Sequence, residues 1–185
     1  MRRHLLDVLD ALRAAPPRAG ATRVLAVDGR SGAGKSTLAR ALAGELGAPL
    51  VALEDLYGGW DGLERGVELL RDAVLEPLAQ GRVASVPRYD WYARAWGEPW
   101  RLAPAAELVI EGVGAGARAL APRVSVLIWI ELAEGVRRRR ALARDDEEVY
   151  GNPEWERWAL QEDAFYARER PWERADCVLG TDAQP

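Results

Sequence analysis

The stretch GRSGAGKST at positions 29–37 contains the only lysine among the 25 lysine and arginine residues of the chain. Gly29, Gly34, Lys35 and Ser36 satisfy the spacing G-x-x-x-x-G-K-[ST]. Glycines let a loop curl until consecutive backbone N–H groups point at phosphate oxygens. A compact ammonium fits inside that curl, whereas the wide planar guanidinium of arginine would not. The stretch therefore predicts a phosphate-binding loop in which Ser36 offers its hydroxyl to Mg²⁺.

The sequence on either side of this loop supports the same prediction. The apolar run RVLAVDG (23–29) is typical of a buried strand, and the leucine spacing in KSTLARALAGEL (35–46) is typical of a helix. A helix that begins directly after the loop adds its positive N-terminal end to the phosphate site. The residues predicted to contact the nucleotide are Gly29, Ser31, Gly32, Ala33, Gly34, Lys35, Ser36 and Thr37.

Carboxylates stand at the ends of three further predicted strands. Glu54 and Asp55 end the stretch 48–55, Asp90 lies near the end of a predicted strand or hairpin arm, and Glu111 follows another apolar run. Ligands of open α/β sheets bind outside the carboxyl ends of the strands. One such carboxylate could hold Mg²⁺, and another could orient and deprotonate an acceptor hydroxyl. Each acid could instead cap a helix or lie in solvent, but their coincidence with the phosphate loop favours a site.

A strongly basic segment, VRRRRALARDD (136–146), follows the apolar strand 123–132. Arg137, Arg140 and Arg144 recur at i, i+3 and i+7, so they share one face of a helix. Phosphoryl transfer needs cations that close over the phosphates and exclude water, which predicts that these are lid arginines. The same pattern fits a solvated basic face or an RNA-binding stripe, although the net charge of −4 disfavours RNA.

Aromatic residues are concentrated between positions 57 and 100. This group comprises Tyr57, Trp60, Tyr89, Trp91, Tyr92, Trp96 and Trp100. They predict either a pocket for a flat ring or ordinary packing of a core and hairpin. The remaining tryptophans are predicted to lie in a core strand (Trp129) or to pack the last helix (Trp155, Trp158 and Trp172). The glycine-rich stretch EGVGAGA (111–117) is predicted to be a flexible loop.

The bulk composition restricts the class of protein. A chain of 185 residues is most simply one domain, and it has no apolar run of the roughly 20 residues that a membrane helix needs. One cysteine, Cys177, and one histidine, His4, exclude an internal disulfide and a Cys/His metal cluster, so a cytoplasmic location is expected. The net charge indicates neither a nucleic-acid nor a membrane partner.

Apolar strands alternate with helical segments along the chain, which predicts a parallel sheet with helices on both faces. Residues 1–20 are predicted to form an amphipathic helix and a linker. Residues 21–180 are predicted to form one domain, which includes a substrate hairpin at 82–105 and a lid at 133–150.

The order of the motifs AVDGRSGAGKST, LEDLY, VPRYDW, LVIEGVG, RRRRALARD and ERADCVL resembles the uridine kinase family of P-loop nucleoside kinases. Phosphoribulokinase and nicotinamide riboside kinase are relatives of that family, and the resemblance covers residues 23–180. It implies an α/β fold, the P-loop NTPase three-layer sandwich, with a parallel five-stranded sheet and an arginine-rich lid helix. It also implies ATP and Mg²⁺ as cofactors and a small-molecule alcohol, most often a nucleoside, as the acceptor.

The resemblance also implies roles for individual residues. Lys35 and Ser36 would bind the ATP phosphates and Mg²⁺, and Glu111 would be the second group associated with the metal. Asp90 would resemble the residue that hydrogen-bonds the ribose hydroxyls. The lid arginines would be Arg137, Arg140 and Arg144, and the acceptor contacts would be Tyr57, Arg88, Tyr89, Asp90, Trp91 and Arg94.

The family's catalytic base is an acid in a short motif after the second strand. Alignment on Tyr57 makes Glu54 the base, whereas the separation from Lys35 and the length of the side chain favour Asp55. The predicted base is therefore Asp55, with Glu54 as its rival. Family uridine kinases also carry a histidine and an arginine where this chain has YARAW (92–96). This stretch contains Arg94 and Trp96 but no histidine, so it does not single out uridine, while a 5′-hydroxyl or similar alcohol acceptor is still favoured.

Two other functions fit the same residues. A nucleoside monophosphate kinase, or another metabolite kinase, would use arginines such as Arg88 and Arg94 to contact a phosphate on its acceptor. A regulatory module that binds ATP and hydrolyses it slowly would need no acceptor pocket at all.

Overall fold

The computed structural model of the chain describes residues 2–142 and 152–180. Arg144 and the other residues of the predicted lid beyond Leu142 lie outside these ranges. The helices are α1 (Arg2–Ala14), α2 (Lys35–Leu46), α3 (Leu63–Leu69), α4 (Glu76–Ala79), α5 (Glu134–Leu142) and α6 (Asn152–Glu169). The strands are β1 (Arg23–Gly29), β2 (Leu50–Ala52), β3 (Ala84–Val86), β4 (Tyr89–Asp90), β5 (Ala95–Trp96), β6 (Trp100–Leu102), β7 (Glu107–Glu111), β8 (Val126–Glu131) and β9 (Cys177–Gly180).

Within the described residues, five strands form one parallel sheet in the order β2-β7-β1-β8-β9. Strand β1 lies at the centre, with Val27 beside Glu111 of β7 and Gly29 beside Ile130 of β8. Because the strands are parallel, their carboxyl ends meet at one edge of the sheet. The glycine-rich loop leaves β1 at this edge, and α2 begins where the loop ends.

Helices cover both faces of this sheet. One face packs against α1 and α2, where Leu12, Leu25 and Leu42 share a buried cluster. The other face packs against α6 and the helical segment from α3 to α4, and its cluster contains Trp129 and Tyr166. The predicted three-layer α/β sandwich is confirmed, and Trp129 lies in a core strand as predicted. Among the described residues, no helix combines the length and the apolar character that a membrane crossing requires.

The second strand is shorter than predicted. It ends at Ala52, and Leu53–Leu56 form a 3₁₀ turn that contains Glu54 and Asp55. Leu53 and Leu56 are both fully buried. Residues three apart lie on the same side of a 3₁₀ turn, whereas they would point to opposite faces of a strand, so burial of both leucines ends the strand early.

Asp90 does not belong to the main sheet, so the prediction that it ends a strand at the carboxyl edge is wrong. Strand β4 pairs antiparallel with β5, with Asp90 opposite Ala95, and β3 pairs with β6 in the same arm. The carboxylate of Asp90 accepts hydrogen bonds from the backbone N–H groups of Tyr92 and Ala93, each at 2.9 Å. This aspartate therefore stabilises the turn of its own hairpin.

The N-terminal helix α1 contributes to the main core. Val8, Leu9 and Leu12 are buried in the same cluster as Leu25 of β1 and Leu42 of α2. Leu12 lies four residues after Val8 and three after Leu9, so all three share one face of α1, which lies against the sheet. The amphipathic character of this helix is therefore used in packing within the fold.

The two leucines Leu12 and Leu6 test this packing. Leu12 is fully buried, whereas 54% of Leu6 is exposed. We expect Leu12→Ala to lower the free energy of unfolding by about 2–5 kcal/mol, because it leaves a cavity in the core. We expect Leu6→Ala to change it by less than about 0.5 kcal/mol. Urea unfolding followed by circular dichroism measures both values, and equal effects would contradict the placement of α1.

Candidate active site

The glycine-rich loop packs closely against the backbone of α5 at Gly32. Gly32 has a positive φ of 78°, and a Cβ at this position would lie 2.2 Å from the carbonyl oxygen of Arg137. Gly34, at the start of α2, has a φ of 99°, and a Cβ there would meet no atom within 4 Å. Glycine is therefore required at position 32 by both backbone conformation and space, and at position 34 by conformation alone.

Three of the predicted site residues converge at the carboxyl edge of the sheet. Only 8% of Lys35 is exposed, and its Nζ reaches back across the loop to donate to the carbonyl of Arg30 at 3.1 Å. The Ser36 hydroxyl hydrogen-bonds the carboxylate of Glu111, the last residue of β7. Burial raises the pKa of Glu111, while the charge of Lys35 and the bond from Ser36 offset part of that rise.

The residues at this point fit a magnesium ion. A hydroxyl and a carboxylate are oxygen ligands of the kind that Mg²⁺ prefers, and Ser36 and Glu111 supply them side by side. In the described part of the chain, no group of three or more His, Cys, Asp or Glu residues could hold a metal ion by itself. A metal here would therefore complete its shell with water and phosphate oxygens, as Mg²⁺ does in nucleotide sites.

A single cleft brings the loop together with a second set of residues. Its polar part is lined by Ser31, Lys35, Ser36, Glu54 and Glu111. Its other part is an aromatic wall, which consists of Tyr57, Trp60, Trp91, Trp155 and Trp158.

The aromatic wall is built from three parts of the chain. The ring of Tyr57 lies 4.7 Å from that of Trp158, and Trp60 lies 5.0 Å from Trp91 and 6.1 Å from Trp158. These tilted and edge-on contacts are the arrangements that aromatic rings favour. Tyr57, Trp60 and Trp91 therefore line the cleft and also pack against neighbouring rings.

Trp155 and Trp158 were predicted to pack the last helix, and besides doing so they line the cleft. Both belong to α6 and both are buried. They are three residues apart, so they share one face of the helix. The spacing of the two tryptophans could have indicated that they share a face of the helix. Only the position of α6 beside the cleft shows that this face lines the cleft.

Glu54 and Asp55 lie in different surroundings although they are neighbours. Glu54 lines the cleft, and its backbone carbonyl accepts a hydrogen bond from the indole N–H of Trp91 at 3.1 Å. Asp55 lies near Arg88 of the hairpin. Burial raises the pKa of Asp55 and the charge of Glu54 adds to the rise, whereas the charge of Arg88 opposes it.

The other predicted acceptor contacts lie on the hairpin. Arg88 is exposed, and Arg94 is exposed at the turn with a positive φ of 51°. Tyr89 packs edge-on against Trp91 with ring centroids 5.4 Å apart. The hairpin therefore contributes Trp91 to the lining of the cleft, and the ring of Tyr89 packs against Trp91.

Of the three arginines predicted for the lid, Arg137 lies beside the phosphate loop. It is buried, and its guanidinium donates to the carbonyls of Leu132 at 2.9 Å and Ser31 at 3.3 Å. Arg140 is exposed on α5. Arg144 lies outside the described residues.

The most deeply buried charge in the site, Asp28 of β1, was missed by sequence reasoning. Its carboxylate accepts hydrogen bonds from the backbone N–H groups of Gly29, Gly114 and Gly116 at 2.7, 3.1 and 2.8 Å, and from the Tyr166 hydroxyl at 2.6 Å. A charged residue inside the apolar run RVLAVDG was the available signal. The stretch 111–117 continues from the end of β7 into a loop, as predicted, but its residues are buried, and Gly114 and Gly116 donate to Asp28.

Burial raises the pKa of Asp28, and its hydrogen bonds and the charge of Lys35 offset part of the rise. Burial, together with the nearby charge of Asp28, also raises the pKa of Tyr166 well above its ordinary value. The tyrosine therefore keeps its proton and remains a donor to the carboxylate.

A second buried carboxylate, Glu162 of α6, was also missed. It accepts hydrogen bonds from the backbone N–H of Ser31 at 2.9 Å, from the Ser31 hydroxyl and from the indole N–H of Trp158 at 2.8 Å. Only 1% of Glu162 is exposed. No local sequence pattern distinguishes this glutamate from the others on the same helix.

We expect Asp28→Asn to lower the free energy of unfolding by about 1–3 kcal/mol at neutral pH, because an amide cannot accept from every donor that surrounds Asp28. The loss should grow as the pH falls from neutral. A raised native pKa means that the folded protein binds the proton first, so the wild type gains stability relative to the variant on acidification. Urea unfolding between neutral pH and the ordinary pKa of aspartate measures the difference. A loss that shrinks on acidification would show that the hydrogen bonds outweigh burial.

No family profile matches the chain, and no curated protein matches it in sequence. Solved structures do resemble it. A possible uridine kinase from Bacillus stearothermophilus has a TM-score of 0.68 and 21% identity, over 96% of this chain and 98% of that one. A protein assigned as a fructose transport system kinase from Silicibacter sp. TM1040 has a TM-score of 0.59 and 21% identity, over 96% of this chain and 97% of that one. The similarity establishes that this chain has the α/β fold of P-loop kinase structures.

Proposed function

We propose that this protein is a P-loop kinase that transfers the γ-phosphoryl group of ATP, with Mg²⁺, to a hydroxyl of a small molecule. The acceptor we infer is a nucleoside or a similar alcohol that carries a flat ring. One observation carries the proposal. The phosphate loop, Glu54 and the aromatic wall all line the same cleft.

The donor end of the reaction follows from the phosphate loop. Backbone N–H groups of the loop and the N-terminal end of α2 would bind the phosphates of ATP. Lys35 would neutralise charge that develops on the transferred group. Ser36 and Glu111 would hold Mg²⁺, which when bound neutralises phosphate oxygens.

The acceptor end follows from the other lining residues. A flat ring would stack against the aromatic wall, which would place its hydroxyl near Glu54. Glu54 would orient that hydroxyl and take its proton during attack on the γ-phosphorus. We favour Glu54 over Asp55 because Glu54 lines the cleft, whereas Asp55 lies beside Arg88.

The charges in the cleft favour an acceptor without a phosphate of its own. Among the described lining residues, Lys35 is the one cation, and it belongs to the donor end. Arg88 and Arg94, which a nucleoside monophosphate kinase could have used, are exposed on the hairpin. A phosphorylated acceptor would bring further negative charge beside Glu54 and Glu111.

A transfer assay tests the function. The protein is incubated with Mg²⁺, ATP labelled in its γ-phosphate and separate pools of nucleosides, sugars and nucleoside monophosphates. We expect label in a product from an uncharged ring alcohol, and no transfer by Lys35→Ala, whose circular dichroism should match the wild type. Label in a nucleoside monophosphate product would instead indicate a nucleotide kinase. Hydrolysis without any labelled acceptor would favour the regulatory module.

A pair of substitutions tests the base. We expect Glu54→Gln to lower kcat by about 10²–10⁴-fold, the usual contribution of general base catalysis. The matched variant Asp55→Asn should change kcat by less than about tenfold, because its carboxyl group lies outside the reacting geometry. Steady-state kinetics on the acceptor found above gives both values. The opposite ranking would assign the base to Asp55.

A further inference from the structure

Side chains from two helices, α5 and α6, hydrogen-bond Ser31 of the phosphate loop. The guanidinium of Arg137, on α5, donates to its carbonyl at 3.3 Å. Glu162, on α6, accepts from both its backbone N–H and its hydroxyl. The backbone of this loop residue cannot move without changing at least one of these bonds.

The bond from α6 continues into the aromatic wall. The same oxygen of Glu162, Oε1, that accepts from Ser31 also accepts from the indole N–H of Trp158 at 2.8 Å. Trp158 in turn contacts Tyr57 and Trp60. A continuous path of direct contacts therefore joins the phosphate loop to the wall, and one buried carboxylate oxygen is its centre.

We propose that Glu162 is a positioning residue that couples occupancy of the phosphate loop to the position of Trp158 in the aromatic wall. The inference rests on the proposed function for its ligands. Phosphates that recruit the N–H groups of the loop would shift Ser31 relative to its free arrangement. Because the donors share one oxygen, a shift of Ser31 changes the bond that holds the Trp158 ring.

Coupling of this kind acts in both directions. A nucleotide that orients Trp158 prepares the wall for a ring, and a ring held against Trp158 stabilises the loop conformation that binds phosphates. A purely structural role for Glu162 makes a different prediction. In that case its replacement would alter stability, but Trp158 would respond to nucleotide as before.

The experiment uses the full chain labelled with 5-fluorotryptophan, and Mg·ADP as the probe. Loss of one ¹⁹F resonance in Trp158→Phe assigns the signal of that residue, and Trp100 of the hairpin strand β6 is assigned in the same way as a reference. We expect Mg·ADP to shift the Trp158 resonance in the wild type. In Glu162→Gln and in Ser31→Ala the shift should fall by about threefold or more at saturation.

Asp163→Asn is the matched control. Asp163 is the next residue on α6 and also bonds the loop, through Arg30 at 2.6 Å, but its carboxylate is exposed, and it is Glu162 that accepts from Ser31 and Trp158. This variant should keep the wild-type response. Dispersion of the other fluorotryptophan signals shows that each variant is folded.

Calorimetric titration with Mg·ADP separates two kinds of failure. If the nucleotide binds but the Trp158 resonance does not move, or moves equally in Glu162→Gln, the coupling is refuted and the proposed function stands. If the wild type binds no nucleotide, the proposed function fails, and the coupling fails with it.

Discussion

A phosphate-binding loop must present most of its backbone N–H groups to a ligand, so few of them can take part in the backbone pairing that stabilises an ordinary turn. In this protein, side chains hold the loop from its buried side. Asp28 accepts from the first residue of the loop, Glu162 accepts twice from Ser31, and Arg137 donates to the carbonyl of Ser31. The rest of the site depends on this support, because the helix that carries Lys35 begins where the loop ends.

Helix α6 serves both ends of the cleft. Trp155, Trp158, Glu162 and Tyr166 recur at intervals of three or four residues, so they form one stripe along the helix. The first two belong to the aromatic wall, and the other two bond the phosphate loop and the strand before it. Buried polar groups are costly unless they are hydrogen-bonded, and each polar member of the stripe has its partner at the loop or at β1. The stripe therefore positions the donor and acceptor ends relative to each other.

Local sequence patterns predicted those elements of the fold whose buried residues recur at a regular spacing. Strand β1 and helix α2 begin and end where their apolar spacing indicated, because each depends on a regular period and a glycine at its end. The prediction of a strand ending in Glu54 and Asp55 was wrong, since two buried leucines impose a period of three. Asp90 was misplaced for a related reason. A short apolar run has the same sequence pattern in a central strand as in the arm of a hairpin, so the pattern cannot distinguish the two.

The sequence by itself determined the phosphate loop, the alternation of strands and helices, and the concentration of aromatic residues before position 100. Each of these features depends on residues that are close together in the chain, so residue type and spacing are sufficient to predict it. Only the tertiary structure decided that Glu54 lines the cleft, that α6 adds two tryptophans to it, and that Asp28 and Glu162 support the loop. Glu162 meets Ser31 and Asp28 meets Tyr166 across more than 130 positions of sequence, and the burial of both carboxylates is tolerable only because such distant donors satisfy them.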